Sequence, residues 1–292
     1  MEEHCIIVSH GSCPDGAASI VLAKNIYPQA EYVCGSHECI DEQVLEAAQK
    51  IRKGGLLYIA DICCSEEVLN EVCAILMEKK CRLHIYEHHI SRSFLAEFKL
   101  PEGLEGEVVF MLDRCGSKIF FDTNLPRYPE LLQEYARLIV LTNDRDMWNN
   151  EHMESAKLSA LHAIYGDDRY IGRFLKNPSV TFTEREQIML DYEKELMMRR
   201  MHRLLSEIEI GEDKDGIPYG VMVGEGKASE LCNTAIHKYN LEYVLLLDYN
   251  GKRASIRSNK YFDCAKFSAR FGGGGHERAS GFPLEREDFK IE

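Results

Sequence analysis

The chain has 292 residues, of which 45% are hydrophobic and 28% charged, so it is long enough for two domains and too apolar to be wholly disordered. Its 35 basic and 48 acidic side chains give a net charge of −13, which excludes a protein that coats duplex nucleic acid through a basic surface. No apolar stretch approaches the length of a membrane span, and the first residues are acidic where a secretory leader is basic. We therefore expect a reduced, cytoplasmic protein whose 11 cysteines are mostly small core residues.

Strands and helices alternate through the first part of the chain. The predicted strands, in chain order, are CIIVSH, AEYVC, GLLYIAD, CRLHIYEHH and EVVFMLD. Apolar residues at helical spacing separate the first four, and Ser65 followed by two glutamates is typical of a helix start. This alternation predicts a parallel sheet with helices on both faces.

The rest of the chain predicts a helical region and then a second, smaller α/β unit. From Tyr128 to Met201 the pattern is almost wholly helical, and FTEREQIMLDYEKELMMRRMHRLLSEIEI predicts one long amphipathic helix that connects two domains. GEDKDGIPYG breaks this pattern, and strands YGVMVGE, YVLLLDYN and KRASIRS follow with helices ASELCNTAIHKYN and FDCAKFSARF. We predict an N-terminal domain over residues 1–180, a helical connector over 181–210 and a C-terminal α/β domain over 211–292.

Metal-ligand residue types follow several of the predicted strands. In parallel sheets, ligands gather beyond the carboxyl ends of the strands. Imidazoles and carboxylates together suit a divalent transition metal such as Mn²⁺, and this many of them predicts two ions that share a carboxylate. Taken singly, each residue is more simply explained as a helix cap, a core histidine or part of a solvated turn. The prediction rests on the fact that several separate strand ends all carry residues of the metal-ligand type. The residues are His10 with Asp15, Asp61, Glu87-His88-His89, and Asp144 with Asp146.

A run of four glycines precedes His276 near the end of the chain. Such a run predicts a loop whose backbone approaches a ligand closely, and its alternative is a flexible linker. Arg257 in SIRSN offers a planar fork for a phosphate, and its alternative is an ordinary exposed arginine of a strand. Elsewhere, Cys34, His37 and Cys39 offer zinc ligands, but no second pair at finger spacing completes the site.

Four segments in this order, HGSCPDGAAS, IAD, EHH and GGGGHERASG, resemble the motif set of the DHH phosphoesterase superfamily. This superfamily includes the RecJ exonuclease, oligoribonucleases that degrade very short RNA, cyclic-dinucleotide phosphodiesterases and family II pyrophosphatases. The resemblance covers nearly the whole chain. It implies a catalytic DHH domain over residues 1–180, the connector over 181–210, and a DHH-associated substrate-binding domain over 211–292.

The resemblance also implies roles for individual residues. It implies a two-ion centre with Mn²⁺ as the expected cofactor and Mg²⁺, Co²⁺ or Zn²⁺ as alternatives. The implied metal ligands are His10, Cys13, Asp15, Asp61, His88 and Asp144, with Asp61 bridging both ions. The implied catalytic residues are Asp61, Asp144 and His89, the last reaching towards the scissile phosphate. The implied contacts with the substrate's phosphate or terminal nucleotide are Arg257, Gly273, Gly274, Gly275 and His276.

Two positions depart from the motif set. Cys13 stands where the first motif usually has the earlier aspartate of a D-x-D pair, and Glu87 replaces the aspartate that gives the family its name. A thiolate at Cys13 would favour zinc at one site or leave that site weaker. Glu87 keeps its carboxylate one methylene further out, which suits a residue that orients a histidine. Asp146 is expected to lie beside the last ligand.

These features predict a phosphoesterase that cleaves short single-stranded oligonucleotides or linear dinucleotides to nucleoside monophosphates, through a two-metal centre and a metal-bound water. The acidic composition favours short substrates, so neither duplex nucleic acid nor a membrane is an expected partner, and a homodimer stays open. One alternative is a pyrophosphatase or exopolyphosphatase on the same centre. Another is a non-catalytic nucleotide-binding protein in which Cys13 marks a lost metal site. RNA and DNA substrates are not distinguished.

Overall fold

The structure, a computed structural model, describes residues 4–284. The chain divides into two compact units, the first ending at Leu190 and the second beginning at Asp191. The predicted division into catalytic domain, connector and substrate-binding domain stays a prediction. None of the helices within residues 4–284 combines the length and apolarity that crossing a bilayer requires.

Five parallel strands form the sheet of the first unit, as predicted, in the order β2-β1-β3-β4-β5. Their bounds are β1 Cys5–His10, β2 Glu31–Gly35, β3 Leu56–Ala60, β4 Arg82–Glu87 and β5 Glu105–Phe110. The order reverses direction between β1 and β3, because the chain moves outward to β2 and then returns past β1. Such a switch point opens a crevice beyond the carboxyl ends of the two strands.

Eight α-helices accompany this sheet within the described residues, the eighth running on past Leu190. Their bounds are α1 Pro14–Ile26, α2 Ile40–Lys50, α3 Glu66–Glu78, α4 Gly116–Asn124, α5 Pro129–Leu132, α6 Ala136–Asp146, α7 Met153–Lys176 and α8 Glu184–Ser206. Ser65 caps α3 as predicted, because its side chain accepts a hydrogen bond from the Val68 N–H. Gly166, with φ +68°, interrupts α7.

Alternate residues of the central strands enter two separate hydrophobic cores, because successive side chains of a strand point to opposite faces. Ile7 and Tyr58 lie in the core formed with α1, α4, α6 and α7, whereas Ile6 and Ile59 lie in the core formed with α2 and α3. All four are almost fully buried. The predicted packing of helices on both faces of the sheet is thereby confirmed.

The second unit contains a six-stranded mixed sheet in the order β10-β11-β9-β8-β7-β6, in which only β7 and β8 pair in parallel. Its strands are β6 Glu209–Glu212, β7 Pro218–Val223, β8 Tyr243–Asp248, β9 Arg253–Ser258, β10 Gly274–His276 and β11 Ala279–Pro283. Its two shorter helices are α9 Ala228–Tyr239 and α10 Cys264–Ala269. This is the smaller α/β unit that the sequence predicts.

Two local predictions for this unit hold only in part. The first two residues of the glycine run lie outside any strand, whereas Gly274 begins edge strand β10, which pairs with β11 in a tight hairpin. A Cβ on Gly273 would lie 2.1 Å from the Gly281 carbonyl oxygen, so the hairpin needs a glycine there. The segment SEIEI is not helical throughout, since α8 ends at Ser206 and strand β6 follows.

Candidate metal centre

The predicted ligands of the first unit meet at the carboxyl edge of its sheet. His10 is the last residue of β1, Asp61 directly follows β3, and Glu87 is the last residue of β4. Because β1, β3 and β4 are parallel neighbours, their ends present these side chains at one edge. Asp15 lies in the first turn of α1, the helix that follows β1, and its side chain is 1% exposed.

Three overlapping groups of metal-ligand atoms lie at this edge, each with its atoms within 4.8 Å of one another. The His88 Nε2 atom is central, since it lies 3.0 Å from Asp61 Oδ1, 3.7 Å from Asp146 Oδ2 and 4.0 Å from Asp15 Oδ2. Asp61 and His88 each belong to two groups. The groups are His10-Cys13-Asp61, Asp61-His88-His89 and Asp15-His88-Asp146.

Asp61 carries the clearest sign that a cation belongs here. Its side chain is buried, and its Oδ2 atom has no hydrogen-bond partner among residues 4–284. Burial, and then the charges of Asp15 and Cys13, raise the pKa of Asp61 well above its usual range. A buried carboxylate oxygen without a partner is costly unless it coordinates a metal or is protonated. Nitrogen, carboxylate and thiol donors gathered around it are ligands that suit a divalent transition metal.

Asp15 is held in place by the N-terminus of α4. Its carboxylate accepts hydrogen bonds from the backbone N–H groups of Gly116 at 2.7 Å and Ser117 at 2.9 Å. Gly116 is required for this packing, because a Cβ there would lie 2.7 Å from the Asp61 Cα. Sequence analysis missed both residues. Their only signal is the small pair Gly-Ser directly after the fifth strand and its turn.

Glu87 organises the two histidines that follow it. Its Oε1 atom accepts hydrogen bonds from the backbone N–H groups of His88 at 2.7 Å and His89 at 2.9 Å, and it lies 2.7 Å from His89 Nδ1. Burial lowers the pKa of His88. Burial also opposes protonation of His89, but the hydrogen bond and charge of Glu87 outweigh it, so the pKa of His89 is raised. One imidazole is therefore biased towards the neutral, ligand form and its neighbour towards the cationic form.

Asp144 and Asp146 differ from their predicted placement. Asp146 lies in a ligand group with Asp15 and His88, and burial and the charge of Asp15 raise its pKa to about 7. Asp144 lies in none of the groups found within residues 4–284, because its carboxylate accepts hydrogen bonds from the N–H groups of Glu151 at 2.8 Å and His152 at 3.3 Å. The structure thus brings Asp146, rather than Asp144, to His88.

Cys13 follows a turn that a distant helix holds in place. The Ser12 N–H, at a residue with φ +56°, donates to both carboxylate oxygens of Asp167, at 3.0 and 3.1 Å. Asp167 follows the break in α7 and also lies 2.7 Å from Nε2 of the buried His162. Burial and the charge of Asp15 raise the pKa of Cys13 to about 12. Sequence analysis missed Asp167 and His162, since nothing local connects them to Cys13.

The comparisons with known proteins agree with this architecture. No protein-family model matches the chain. The oligoribonuclease NrnB of Bacillus subtilis (strain 168) is 25% identical over 306 residues, covering 95% of this chain and 72% of the relative. The DHH domain of a protein assigned to a ribosomal-protein family shares the fold, with a TM-score of 0.59 and 14% identity over 97% of this chain and 83% of that chain. The chain is thus similar to an oligoribonuclease over nearly its whole length and has the fold of a DHH domain.

A third similarity is to a pGpG-specific phosphodiesterase from Vibrio cholerae, with a TM-score of 0.47 and 10% identity over 98% of this chain and 95% of that chain. Relative to the DHH motif set that the sequence resembles, this chain keeps a carboxylate at Glu87 and has a thiol at Cys13. Both departures lie at the ligand groups, Cys13 as a member and Glu87 as the hydrogen-bond partner of His89.

The remaining residues whose roles the resemblance implies lie in the second unit. Arg257 is half-buried, and its guanidinium donates to Ser229 Oγ at 3.0 and 3.2 Å and to the Ile256 carbonyl oxygen at 2.8 Å. Burial lowers its pKa. Antiparallel pairing sets Ala279 opposite both Arg257 and His276, so the two basic residues share one face of the sheet. Gly274, Gly275 and His276 are exposed on the edge strand.

His37 does not form a zinc site with Cys34 and Cys39 among the ligand groups of residues 4–284. Its imidazole instead lies against His10, with 4.7 Å between the ring centroids, and against His89 at 5.9 Å. Burial and then the charge of His37 lower the pKa of His10. His37 is therefore a neighbour of the candidate metal centre that the motif pattern does not reveal.

Proposed function

We propose that this protein is a metal-dependent phosphodiesterase that hydrolyses short single-stranded oligonucleotides or linear dinucleotides to nucleoside monophosphates. The observation that carries the proposal is the set of three ligand groups, linked in pairs by Asp61 and His88, at the sheet's switch point. The oligoribonuclease relative, similar over 95% of this chain, supports a phosphodiester-hydrolysing enzyme and short RNA as the substrate class. The net charge of −13 favours short chains, because a long polyanion would meet a mostly acidic surface.

We assign two divalent cations to the centre, with Mn²⁺ as the expected ion. His10, Cys13 and Asp61 would hold one ion, and Asp15, His88 and Asp146 the other, with Asp61 available to both. Such ions supply Lewis acidity that polarises a phosphoryl oxygen and makes a water molecule a stronger nucleophile at neutral pH. Asp144 is reassigned from ligand to a residue that holds the turn after α6.

The chain's own residues then orient the phosphate and offset its charge. Glu87 occupies Nδ1 of His89, so Nε2 is the atom left to donate to a phosphoryl oxygen. The raised pKa of His89 favours the cation, which stabilises the negative charge that develops on that oxygen. His88 stays neutral and free to coordinate, because burial lowers its pKa.

The second unit is proposed to hold the substrate's phosphate or terminal nucleotide. Arg257 and His276 offer cationic and hydrogen-bonding groups on one face of the sheet. The bare backbone of Gly274 and Gly275 lies exposed at the sheet edge, while the Gly273 N–H already donates to the Ser268 carbonyl oxygen. The cytoplasm as the site of action and a homodimer as the assembly are further parts of the proposal.

The test is a cleavage assay combined with elemental analysis of the same sample. We expect the purified full chain to retain divalent metal and to convert an end-labelled dinucleotide to nucleoside monophosphates in the presence of Mn²⁺. Release of phosphate from pyrophosphate, measured in parallel, should be much slower. An intact dinucleotide after long incubation, with less than one ion per chain, would overturn the proposal in favour of a non-catalytic binding protein.

A further inference from the structure

Trp148, the only tryptophan of the chain, is 62% exposed. It lies on the turn that follows α6, two residues after Asp146 of the candidate metal centre. Its φ of +57° is a left-handed conformation that bulky side chains rarely adopt. A large aromatic side chain held outward by an unfavourable backbone conformation has no role in the core of the fold.

The turn that presents Trp148 is rigidly held by Asp144. The Asp144 carbonyl oxygen accepts hydrogen bonds from the N–H groups of Asn149 at 3.0 Å and Asn150 at 3.3 Å. Its buried carboxylate accepts two more, from the N–H groups of Glu151 and His152. Four hydrogen bonds to one residue fix the turn, so the exposure of Trp148 is a built feature rather than fraying of a helix end.

Arg145 lies against the indole ring of Trp148. Its guanidinium carbon lies 4.8 Å from the indole centroid, and its Nη1 atom donates to Asn150 Oδ1 at 3.0 Å. The cation therefore stacks on the indole while the turn holds both groups. Indole rings and guanidinium planes are the surfaces on which proteins stack unpaired bases of single-stranded nucleic acid.

Trp148 lies close to the candidate metal centre along the chain. Two peptide units separate the Cα atoms of Asp146 and Trp148, so these atoms are at most about 7.6 Å apart. A nucleotide that flanks a phosphodiester at the ligand groups would therefore lie within reach of this turn. We propose that Trp148 is a stacking platform for an unpaired nucleobase, so that the centre selects nucleotide phosphates over inorganic ones. The inference rests on the proposed function for the bond that is cleaved, but base binding can be measured without cleavage.

The single tryptophan makes the first test direct. Its fluorescence is titrated in EDTA with AMP, which carries a base, and with ribose 5-phosphate, which does not. We expect AMP to quench the emission saturably and ribose 5-phosphate to leave it unchanged. Equal responses to both ligands, or no response to AMP, would overturn the inference.

The second test uses variants of the full chain. Replacing an aromatic that stacks on a base costs about 5- to 150-fold in affinity. We therefore expect Trp148→Ala to weaken AMP binding and to raise the dinucleotide KM by that factor, and Trp148→Phe to keep most of the affinity. Met153→Ala, which removes a side chain that is 86% exposed at the start of α7, is the matched control and should change neither value.

The outcomes separate the two proposals. Dinucleotide cleavage with the same KM and AMP affinity in Trp148→Ala and the parent protein would overturn the platform and leave the proposed function standing. AMP binding that depends on Trp148, in a protein that cleaves no dinucleotide, would support the platform and overturn the proposed function.

Discussion

Two clusters of histidine and carboxylate lie on the same parallel sheet, and they are completed in different ways. Between β4 and β5, Glu107 accepts hydrogen bonds from the Tyr86 hydroxyl at 2.8 Å and from both terminal nitrogens of Arg127 at 2.7 and 2.9 Å, with His84 Nδ1 at 2.9 Å. Burial opposes ionisation of Glu107, but these partners outweigh it and lower its pKa to about 2. A guanidinium thus completes this cluster within the protein.

The cluster at the carboxyl edge has the same residue types and the opposite electrostatics. Burial, and then the charges of Asp15 and Cys13, raise the pKa of Asp61. Burial and the charge of Asp15 likewise raise the pKa of Asp146 to about 7. An arginine keeps Glu107 ionised in the first cluster, whereas Asp61 and Asp146 are pushed towards protonation in the second. The difference indicates that the edge cluster is complete only when a cation from solution enters it.

The comparison is tested most strongly by Asp61→Asn. We expect this variant to lose metal and to lower kcat/KM by on the order of 10³-fold or more, because it removes the carboxylate shared by two ligand groups. In EDTA its melting temperature should equal or exceed that of the parent, since a buried carboxylate with a raised pKa destabilises the metal-free fold. Full metal content in Asp61→Asn would contradict the assignment of the centre.

The variants Asp146→Asn and Asp144→Asn test which of the two aspartates contributes to metal binding. We expect Asp146→Asn to lower metal content and to reduce kcat by about 10²-fold, because Asp146 is a proposed ligand of the second ion. Asp144→Asn should keep the metal, because its carboxylate accepts hydrogen bonds from the turn after α6 and lies in none of the ligand groups of residues 4–284, and should instead raise KM. Elemental analysis and steady-state kinetics distinguish the two, and loss of metal in Asp144→Asn would restore the assignment made from sequence.

Gly116→Ala tests the support of the edge cluster rather than its ligands. A methyl group 2.7 Å from the Asp61 Cα must displace backbone, so we expect a loss of about 1–3 kcal/mol in the free energy of unfolding and weaker metal binding. Gly172→Ala is the matched control, because a Cβ at that position in α7 meets no atom within 4 Å. It should be neutral or stabilising by up to about 1 kcal/mol. Urea denaturation of both variants measures the contrast.

Glu107→Gln tests the completed cluster and should have the smallest effect on activity. The pKa of Glu107 is lowered from 4.5 to about 2 by folding, so its contribution to stability is present above about pH 4.5 and is lost as the pH falls towards 2. We expect the variant to be destabilised by about 2 kcal/mol at pH 7. The difference from the parent protein should shrink between pH 4.5 and pH 2.5 in urea titrations, and a constant difference would contradict the assignment.

Much of this protein follows from its sequence, because the relevant signals are local. Apolar strands separated by helices dictate a parallel sheet, and residues that end such strands must arrive at one edge. His10, Asp61 and His88 could therefore be placed from the chain alone, and Glu87 could be expected beside a histidine.

Tertiary structure decided the rest, because it depends on direction and on distant partners. Asp144 and Asp146 are two residues apart on α6, and two steps of about 100° turn their side chains to nearly opposite sides of the helix. Only the packing of α6 selects which one meets His88. Gly116, Asp167 and the pairing partner of the glycine strand likewise acquire their roles through contacts with segments far away in sequence, and no local pattern records those contacts.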